Sequence, residues 1–247
     1  MLGLRDVVVE YRGRPGGPSL VALSNITFSV GVRDIVALMG ANGSGKTTFL
    51  RVLAGLQRPS SGERVVSALG RTPRVEFMFQ NYRATLFPWH RVRAGIRTAL
   101  RGRDDEVEHA IANLEFLIPG FRFDAYPHEL SGGEQQAVAL AISTARCVDL
   151  LLLDEPFGAL DVRARMRAIA LCRKVIMQDR AKAVVFTTHS AEDAAALAQR
   201  VVLLRNHPGL IGAEVRFDGG ATGGGSEVLS TRITALRARL AEVVERA

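Results

Sequence analysis

Gly40-Ala41-Asn42-Gly43-Ser44-Gly45-Lys46-Thr47-Thr48 is the stretch of this 247-residue chain that decides its fold. The apolar run Ile35–Met39 precedes it and Phe49–Ala54 follows it, a pattern that predicts a strand, a glycine-rich turn and a helix. The spacing G-x-x-x-x-G-K-[ST] in that setting is a P-loop, whose backbone N–H groups and helix N-terminus attract phosphate. We therefore predict a nucleoside triphosphate site, with Lys46 on the β- and γ-phosphates and the Thr47 hydroxyl on Mg²⁺.

Composition limits the class of protein. An apolar fraction of 47% supports a substantial core, in one large domain or in a domain with a subdomain. The apolar runs are strand-sized, so no membrane span is predicted, and the start of the chain does not resemble a signal peptide. Cys147 and Cys172 lack a metal-like spacing and are expected to be reduced thiols. The net charge of +7 permits anionic partners, but no basic cluster with interleaved aromatics stands out, so we predict no nucleic-acid partner.

Strand and helix patterns alternate along most of the chain. Two β-segments, Leu4–Tyr11 and Val21–Val30, come before the P-loop strand, and a later strand ends at Gln80. From about residue 82 to about residue 145 the pattern is helical, which predicts a helical insertion. The alternation then resumes over 150–204 and is typical of a mostly parallel sheet with helices on its faces.

Polar residues end three of the predicted strands. Asp154 and Glu155 close an all-leucine strand, while Gln80 and His189 close two others. Ligands of open α/β sheets gather at the carboxyl ends of the strands, so we expect these side chains near the γ-phosphate. Asp154 is predicted to hold Mg²⁺, and Glu155 is predicted to orient and deprotonate the attacking water.

A second anion site is predicted at Ser131-Gly132-Gly133, which opens an alanine-rich helix. Two glycines leave the backbone amides bare at a helix N-terminus, where phosphate binds favourably. Such a site is superfluous in a monomer, but it would complete the nucleotide pocket of a second copy of the chain. A plain helix cap is the alternative, because serine is a favoured N-cap residue.

The end of the chain combines a glycine-rich linker, 218–226, with a final helix, 227–247. Apolar residues recur in that helix at four–three spacing, at Leu229, Ile233, Leu236, Leu240 and Val243. Two interpretations stay open. The helix folds back onto its own core, or it makes a contact with a second copy or a regulator.

The motifs, in this order, resemble the ATP-binding subunit of ATP-binding cassette (ABC) transporters over nearly the whole chain, to about residue 217. The matching segments are Walker A (Gly40–Thr48), the Q-loop (Gln80), the LSGGQ signature with glutamate for its glutamine (Leu130–Gln135), Walker B with the catalytic glutamate (Leu150–Glu155), the D-loop (Phe157–Asp161) and the switch histidine (His189). Tyr11 stands where the family's adenine-stacking aromatic lies. The resemblance implies an α/β fold: a P-loop NTPase core with a mixed sheet, an N-terminal antiparallel β-subdomain and an inserted helical subdomain.

The resemblance also implies a mechanism. Two copies pair head to tail around two ATP molecules, each held by the P-loop of one copy and the signature of the other, and Mg²⁺ accompanies the ATP. The implied catalytic residues are Glu155, His189 and Gln80, and the implied metal ligands are Thr47, Gln80 and Asp154. The implied nucleotide-binding residues are Tyr11, Gly40, Asn42, Gly43, Ser44, Gly45, Lys46, Thr47, Thr48, Ser131, Gly132, Gly133 and Asp161.

Finer features resemble importers for nitrate, sulfonate, taurine and related solutes. They are the segments Leu86–Val92, Glu155–Asp161 and His207–Ile211. The resemblance implies a subunit on the cytoplasmic face of the inner membrane, which contacts separate permease subunits near Asn81–Val92 and serves a periplasmic solute-binding protein indirectly. The alternatives are an exporter or lipoprotein-release cassette, which the Leu86–Trp89 segment disfavours, and a soluble ABC-type ATPase of DNA repair or translation. Relatives of the soluble class carry long coiled-coil insertions or two cassettes in one chain.

Three positions depart from the family pattern. Ala137 and Ile142 replace arginines on the helix after the signature, and Ser190 replaces the aspartate that commonly follows the switch histidine. Because Walker A and Glu155 are intact, ATP hydrolysis is still expected.

Overall fold

The structure is a computed structural model that describes residues 2–12, 19–66, 71–206, 208–217 and 226–245. In chain order the elements are β1 (Leu2–Tyr11), β2 (Leu20–Val30), β3 (Ile35–Met39), α1 (Lys46–Ala54), β4 (Ser61–Val66), β5 (Val75–Met78), α2 (Val92–Ala99), α3 (Asp104–Leu117), α4 (Gly132–Ala145), β6 (Leu150–Leu153), α5 (Val162–Met177), β7 (Val184–Thr187), α6 (Ala191–Leu197), β8 (Arg200–Arg205), β9 (Leu210–Arg216) and α7 (Ser226–Glu245). Short 3₁₀ turns lie at Tyr82–Thr85 and Pro127–Glu129.

The chain forms two compact units. Met1–Pro73 and Val185–Ala247 make the first, which we call the P-loop unit. Arg74–Val184 makes the second, which we call the signature unit. Helices α2, α3 and α4 of the signature unit occupy the interval of the predicted helical insertion. None of the helices in the described part of the chain is long and apolar enough to cross a membrane.

An antiparallel sheet of order β2-β1-β4 opens the P-loop unit. Strand β4 was not predicted, because Ser61-Gly62-Glu63 has the composition of a turn and the strand has no buried face. Gly62 has a φ of 77°, and a Cβ there would lie 2.3 Å from the Asp6 carbonyl oxygen. A glycine is therefore required at this point of the edge strand, where it pairs closely with β1.

The second sheet of the P-loop unit contains β7, β3, β8 and β9 in that order. Strand β3 is buried along its whole length, as a central parallel strand should be, and it runs parallel to β8. Strand β9 is antiparallel to β8, so the sheet is mixed as predicted. Strand β9 was not predicted, because its apolar residues do not alternate cleanly.

The C-terminal helix α7 packs on α6, β8 and β9 of its own unit. Leu236 is fully buried and Val243 is 5% exposed. Arg237 pairs with Glu192 of α6, and the Arg232 guanidinium lies 4.6 Å from the centre of the Phe217 ring. Of the two interpretations, the structure has the helix folded back. Most of the predicted linker, 218–225, lies outside the described residues.

In the signature unit, β5 and β6 are parallel partners, with Val75 opposite Leu150 and Met78 opposite Leu153. Helix α4 is buried from Gln136 to Ala145. The side-chain amide of Asn113, on α3, donates a hydrogen bond of 3.1 Å to the Thr144 hydroxyl of α4. These contacts fix α4, which carries the signature at its N-terminus, against its neighbours.

Candidate functional site

The P-loop has glycines where no other residue fits. Gly43 and Gly45 have φ of 84° and 86°, in the left-handed region that glycine alone adopts freely. A Cβ at Gly45 would lie 2.6 Å from the Leu23 side chain, and one at Gly40 would lie 2.7 Å from the Leu204 carbonyl oxygen. Gly45 is also the N-cap of α1 and has no capping side chain. A helix N-terminus of this kind attracts anions, which is compatible with the predicted phosphate site.

Lys46 and Ser44 supply polar groups to this loop. Lys46 is 7% exposed, and its ammonium group donates to the carbonyl oxygens of Gly40 at 2.9 Å and Ala41 at 3.0 Å. The fully buried Ser44 hydroxyl has no hydrogen-bond partner among the described residues. A buried unpaired hydroxyl costs about 1–3 kcal/mol, which a polar ligand would relieve. These polar groups fit a polyphosphate ligand.

Tyr11, at the end of β1, is attached to the P-loop helix. Its hydroxyl lies 3.1 Å from the Thr48 hydroxyl oxygen and donates at 3.1 Å to the Gln57 side chain. The residue as a whole is 40% exposed. The structure thus places this aromatic beside α1, a position compatible with its predicted role on adenine.

The switch histidine follows β7, at the same sheet edge as the P-loop. The Thr188 N–H donates at 3.1 Å to the carbonyl oxygen of Leu38, two residues before Gly40, and His189 is exposed. The next residue, Ser190, caps α6 by accepting from the Asp193 N–H at 3.1 Å. Serine and aspartate are comparable caps, so this departure from the family pattern keeps the helix start intact.

Gly209 was noted in the sequence only as part of a family run, His207–Ile211. It pairs with Leu23, and a Cβ on it would lie 2.5 Å from the Ser44 carbonyl oxygen. Gly209 therefore packs directly against the P-loop backbone at Ser44, where a side chain would not fit. His207 lies outside the described residues.

The predicted hydrolytic residues end paired strands of the signature unit. The Asp154 N–H donates at 2.9 Å to the Met78 carbonyl oxygen, so the end of β6 adjoins the end of β5 that leads to Gln80. Asp154 is 2% exposed, whereas Gln80 is exposed. Glu155 has a φ of 50°, a left-handed conformation that is uncommon for residues other than glycine. The structure thus brings Gln80, Asp154 and Glu155 to neighbouring strand ends.

The signature begins α4 with a capping box. The Ser131 hydroxyl accepts from the Glu134 N–H at 3.2 Å, and the Glu134 carboxylate accepts from the Ser131 N–H at 2.8 Å. Glutamate and glutamine both serve at this position of a capping box, which accounts for the glutamate in the signature. The two sequence interpretations of Ser131, a cap and an anion site, are compatible.

The signature and the D-loop share one pocket. It has a volume of about 590 Å³ and is lined by Ser131, Gly133 and Asp161, among others. A Cβ on Gly133 would lie 2.8 Å from the Ala159 carbonyl oxygen, so the D-loop backbone needs a glycine there. The Asp161 carboxylate accepts from the Ala164 N–H at 2.9 Å and caps α5.

The remaining departures are buried apolar residues on α4. Ala137 is fully buried and Ile142 is 2% exposed. Their neighbour Gln136 was not among the predicted site residues. It is 3% exposed, and its side chain makes hydrogen bonds to the backbone of both Glu155 and Ala159. The available signal was a polar residue inside an alanine-rich helix.

Known proteins are similar to this chain over most of its length. The family model described as ABC transporter matches residues 23–158. The aliphatic sulfonates import ATP-binding protein SsuB 2 of Mesorhizobium japonicum is 41% identical, over 87% of this chain and 84% of its own length. The nitrate import ATP-binding protein NrtD of Synechocystis is 38% identical, over 88% and 82% of the two chains. A dimeric post-hydrolysis structure of the ATP-binding cassette MJ0796 bound to ADP and Pi has a TM-score of 0.76 at 25% identity, and covers 89% of this chain and 100% of that chain.

These comparisons confirm the resemblance drawn from the motifs. The family match includes the P-loop, the signature and the strand that ends at Asp154. The fold likeness extends over both units, with the mixed sheet and the antiparallel N-terminal sheet that were predicted. The chain belongs to the ABC transporter family, as an ATP-binding cassette with ATPase activity.

Proposed function

We propose that this cassette drives the import of a small solute of the nitrate or sulfonate kind through separate permease subunits. The observation that carries the proposal is the likeness to two import ATP-binding proteins over more than four fifths of each chain. An exposed aromatic segment just after Gln80 supports the permease contact. The cassette would work as a peripheral subunit on the cytoplasmic face of the membrane.

The P-loop unit would supply the nucleotide-binding groups. Backbone N–H groups of Gly43–Thr48 and the Lys46 ammonium would bind the β- and γ-phosphates, with Asn42 at the rim of the loop. The Tyr11 ring would stack on adenine. The buried, unpaired Ser44 hydroxyl supports the presence of a polar ligand at this loop.

Magnesium would be held by Thr47, Gln80 and Asp154. Among the described residues, no group of three or more His, Cys, Asp or Glu side chains could hold a metal ion by itself. Mg²⁺ usually takes one or two carboxylates and completes its shell with water and substrate phosphate. When bound, the metal would neutralise charge on the phosphate oxygens.

Glu155 would be the general base that orients and deprotonates the attacking water. Gln80 and His189 would contact the γ-phosphate and the water. Catalysis would consist of positioning and charge stabilisation rather than covalent chemistry. The exact placing of the Glu155 backbone therefore matters to the rate.

A second copy of the cassette would complete each site. Ser131, Gly132 and Gly133 lie at the start of α4, and Ser131 and Gly133 line a pocket of about 590 Å³, large enough for part of a nucleotide. The dimeric state of the similar cassette supports such pairing. Each ATP would then lie between the P-loop of one copy and the signature of its partner, with Asp161 alongside.

The permease would dock on the aromatic cluster Phe87, Trp89 and His90. Trp89 is 70% exposed, and its ring centre lies 5.9 Å from that of Phe87 and 6.2 Å from that of His90. Large exposed aromatics mark protein interfaces, where they often carry much of the binding energy. The cluster lies within the segment 81–92 that was predicted to meet the permease.

Replacing Trp89 with serine tests this proposal. Trp89→Ser should lower the amount of permease that co-purifies with the cassette by about tenfold, because a docking anchor is lost. ATP hydrolysis by the isolated cassette should stay at the parent rate. Met177→Ser is the matched control, since Met177 is 74% exposed on α5 of the same unit.

Equal permease recovery with the two variants would contradict the docking surface. In vesicles that contain the permease, ATP should drive uptake of nitrate or an alkane sulfonate delivered by the solute-binding protein. ATP-driven efflux instead would contradict the import function.

A further inference from the structure

Gln136 lies one turn into α4, immediately after the signature. It is 3% exposed in a helix stretch that is otherwise made of small or apolar residues up to Ile142. A buried side-chain amide is costly unless both its donor and its acceptor are satisfied.

Both polar atoms of the Gln136 side chain make hydrogen bonds to the backbone of the segment that follows β6. The Nε2 group donates at 2.9 Å to the Glu155 carbonyl oxygen. The Oε1 atom accepts at 2.7 Å from the Ala159 N–H. One side chain thus bridges the two ends of the segment 155–159, and all of these residues belong to the signature unit.

The same segment meets α4 at a second point. Gly133 approaches the Ala159 carbonyl oxygen so closely that a Cβ would lie 2.8 Å from it. Ala159 is therefore held through its N–H by Gln136 and packed through its carbonyl against Gly133. The D-loop backbone is therefore held against helix α4 at both the N–H and the carbonyl of Ala159.

Glu155 needs such support because of its conformation. Its φ of 50° is left-handed, which costs a residue with a Cβ on the order of 1–2 kcal/mol. Strained residues of this kind persist only where the surrounding structure over-determines them. The hydrogen bond from Gln136 to the Glu155 carbonyl oxygen is one contact that holds this conformation. The carboxylate of the same residue, Glu155, is the group assigned to the attacking water.

We propose that Gln136 is a positioning residue for ATP hydrolysis: its amide fixes the backbone of Glu155 and of the D-loop against the signature helix. This assignment rests on the proposed role of Glu155. Gln136 is buried and its side chain bonds to backbone, so its loss should slow turnover and leave nucleotide binding at the P-loop intact. The two hydrogen bonds also join the hydrolytic residue of one copy to the signature that the same copy offers to its partner.

Gln136→Met removes both hydrogen bonds and keeps the length of the side chain. The kcat for ATP should fall roughly 10- to 100-fold, since displacements of about 1 Å at a catalytic group cost about that much. The KM and the affinity for a fluorescent ATP analogue should change less than about threefold. A fall in kcat at nearly constant KM is what the loss of an interaction made in the transition state produces. Gln136→Glu keeps the acceptor for the Ala159 N–H but sets an oxygen against the Glu155 carbonyl, and it should lose as much activity.

Asn113→Leu is the matched control. It deletes a buried amide that binds α4 at Thr144, away from Glu155. Its melting temperature should fall at least as much as that of Gln136→Met, while its kcat stays near the parent value. A folded Gln136→Met protein with the parent kcat would overturn the inference, and so would an equal loss of kcat in Asn113→Leu. A parent protein that does not hydrolyse ATP would instead overturn the proposed function.

Discussion

Glu76 is a half-buried carboxylate that matters without belonging to a motif. It lies on β5, four residues before Gln80, and its carboxylate is 3.1 Å from the Arg146 Nε atom. Burial raises the pKa of Glu76 from 4.5 to about 7; Arg146 opposes the shift and Glu106 adds to it. The strand that leads to the Q-loop therefore contains a group that titrates near neutral pH.

The sign of the resulting pH dependence follows from the raised pKa. Between pH 4.5 and about 7 the folded state holds a proton on Glu76 that the unfolded state has lost. The stability that this proton contributes is present below the lower value and is lost as the pH rises through the upper one. Glu76→Gln stays neutral, so its stability relative to the parent should rise between about pH 5 and pH 8, by on the order of 1–3 kcal/mol.

Urea unfolding at a series of pH values measures this difference. Glu63→Gln is the control, because Glu63 is an exposed carboxylate paired with Arg5 and should give a curve parallel to the parent. Parallel curves for Glu76→Gln and the parent would show that the Glu76 carboxylate does not titrate in this range.

At the scale of elements, the sequence indicated most strands and helices, because the period of the apolar residues and the positions of the motifs predict the same elements. Helix α4 was expected from its alanine content, and Ser131 fixes its start through a hydrogen bond that the sequence pattern allowed. Strands β4 and β9 were missed, since edge strands need little apolar alternation and are defined by pairing with β1 and β8. The side on which α7 packs also depends on tertiary contacts, which a heptad pattern alone does not contain.

Helix α7 should therefore contribute to the stability of the P-loop unit. Leu236→Ala should destabilise the protein by about 2–5 kcal/mol, because Leu236 is fully buried against that unit. Val228→Ala, on the same helix and 47% exposed, should cost less than about 0.5 kcal/mol. Denaturant unfolding measures both. Weakened self-association of Leu236→Ala without loss of stability would mean that the apolar seam faces a second copy.

At the scale of the whole molecule, the order of the motifs was the most informative part of the sequence. P-loop, Gln80, signature, Asp154-Glu155 and His189 occur in the family's order, and the comparisons confirm the family. What the sequence could not provide is the bridge from Gln136 to Glu155, because it depends on side-chain geometry across two elements. The site residues form two sets, one in each unit, and in the proposed function two copies of the chain complete each active site.

The head-to-tail pairing is the central claim, and mixing two inactive variants tests it most directly. Lys46→Ala removes phosphate binding from the P-loop. Ser131→Asp keeps the cap of α4, since aspartate is a good N-cap, but sets a negative charge against the partner's phosphate. Each variant alone should be inactive, because both sites of its dimer carry the defect.

A mixture of the two variants should recover activity. Random pairing makes about half of the dimers mixed, and one of the two sites in each is intact, so phosphate release should reach about a quarter of the parent rate. If instead each chain formed its nucleotide site from its own P-loop and its own signature, mixing would restore nothing. Phosphate release by the mixture that does not exceed the sum of the separate variants would contradict the account.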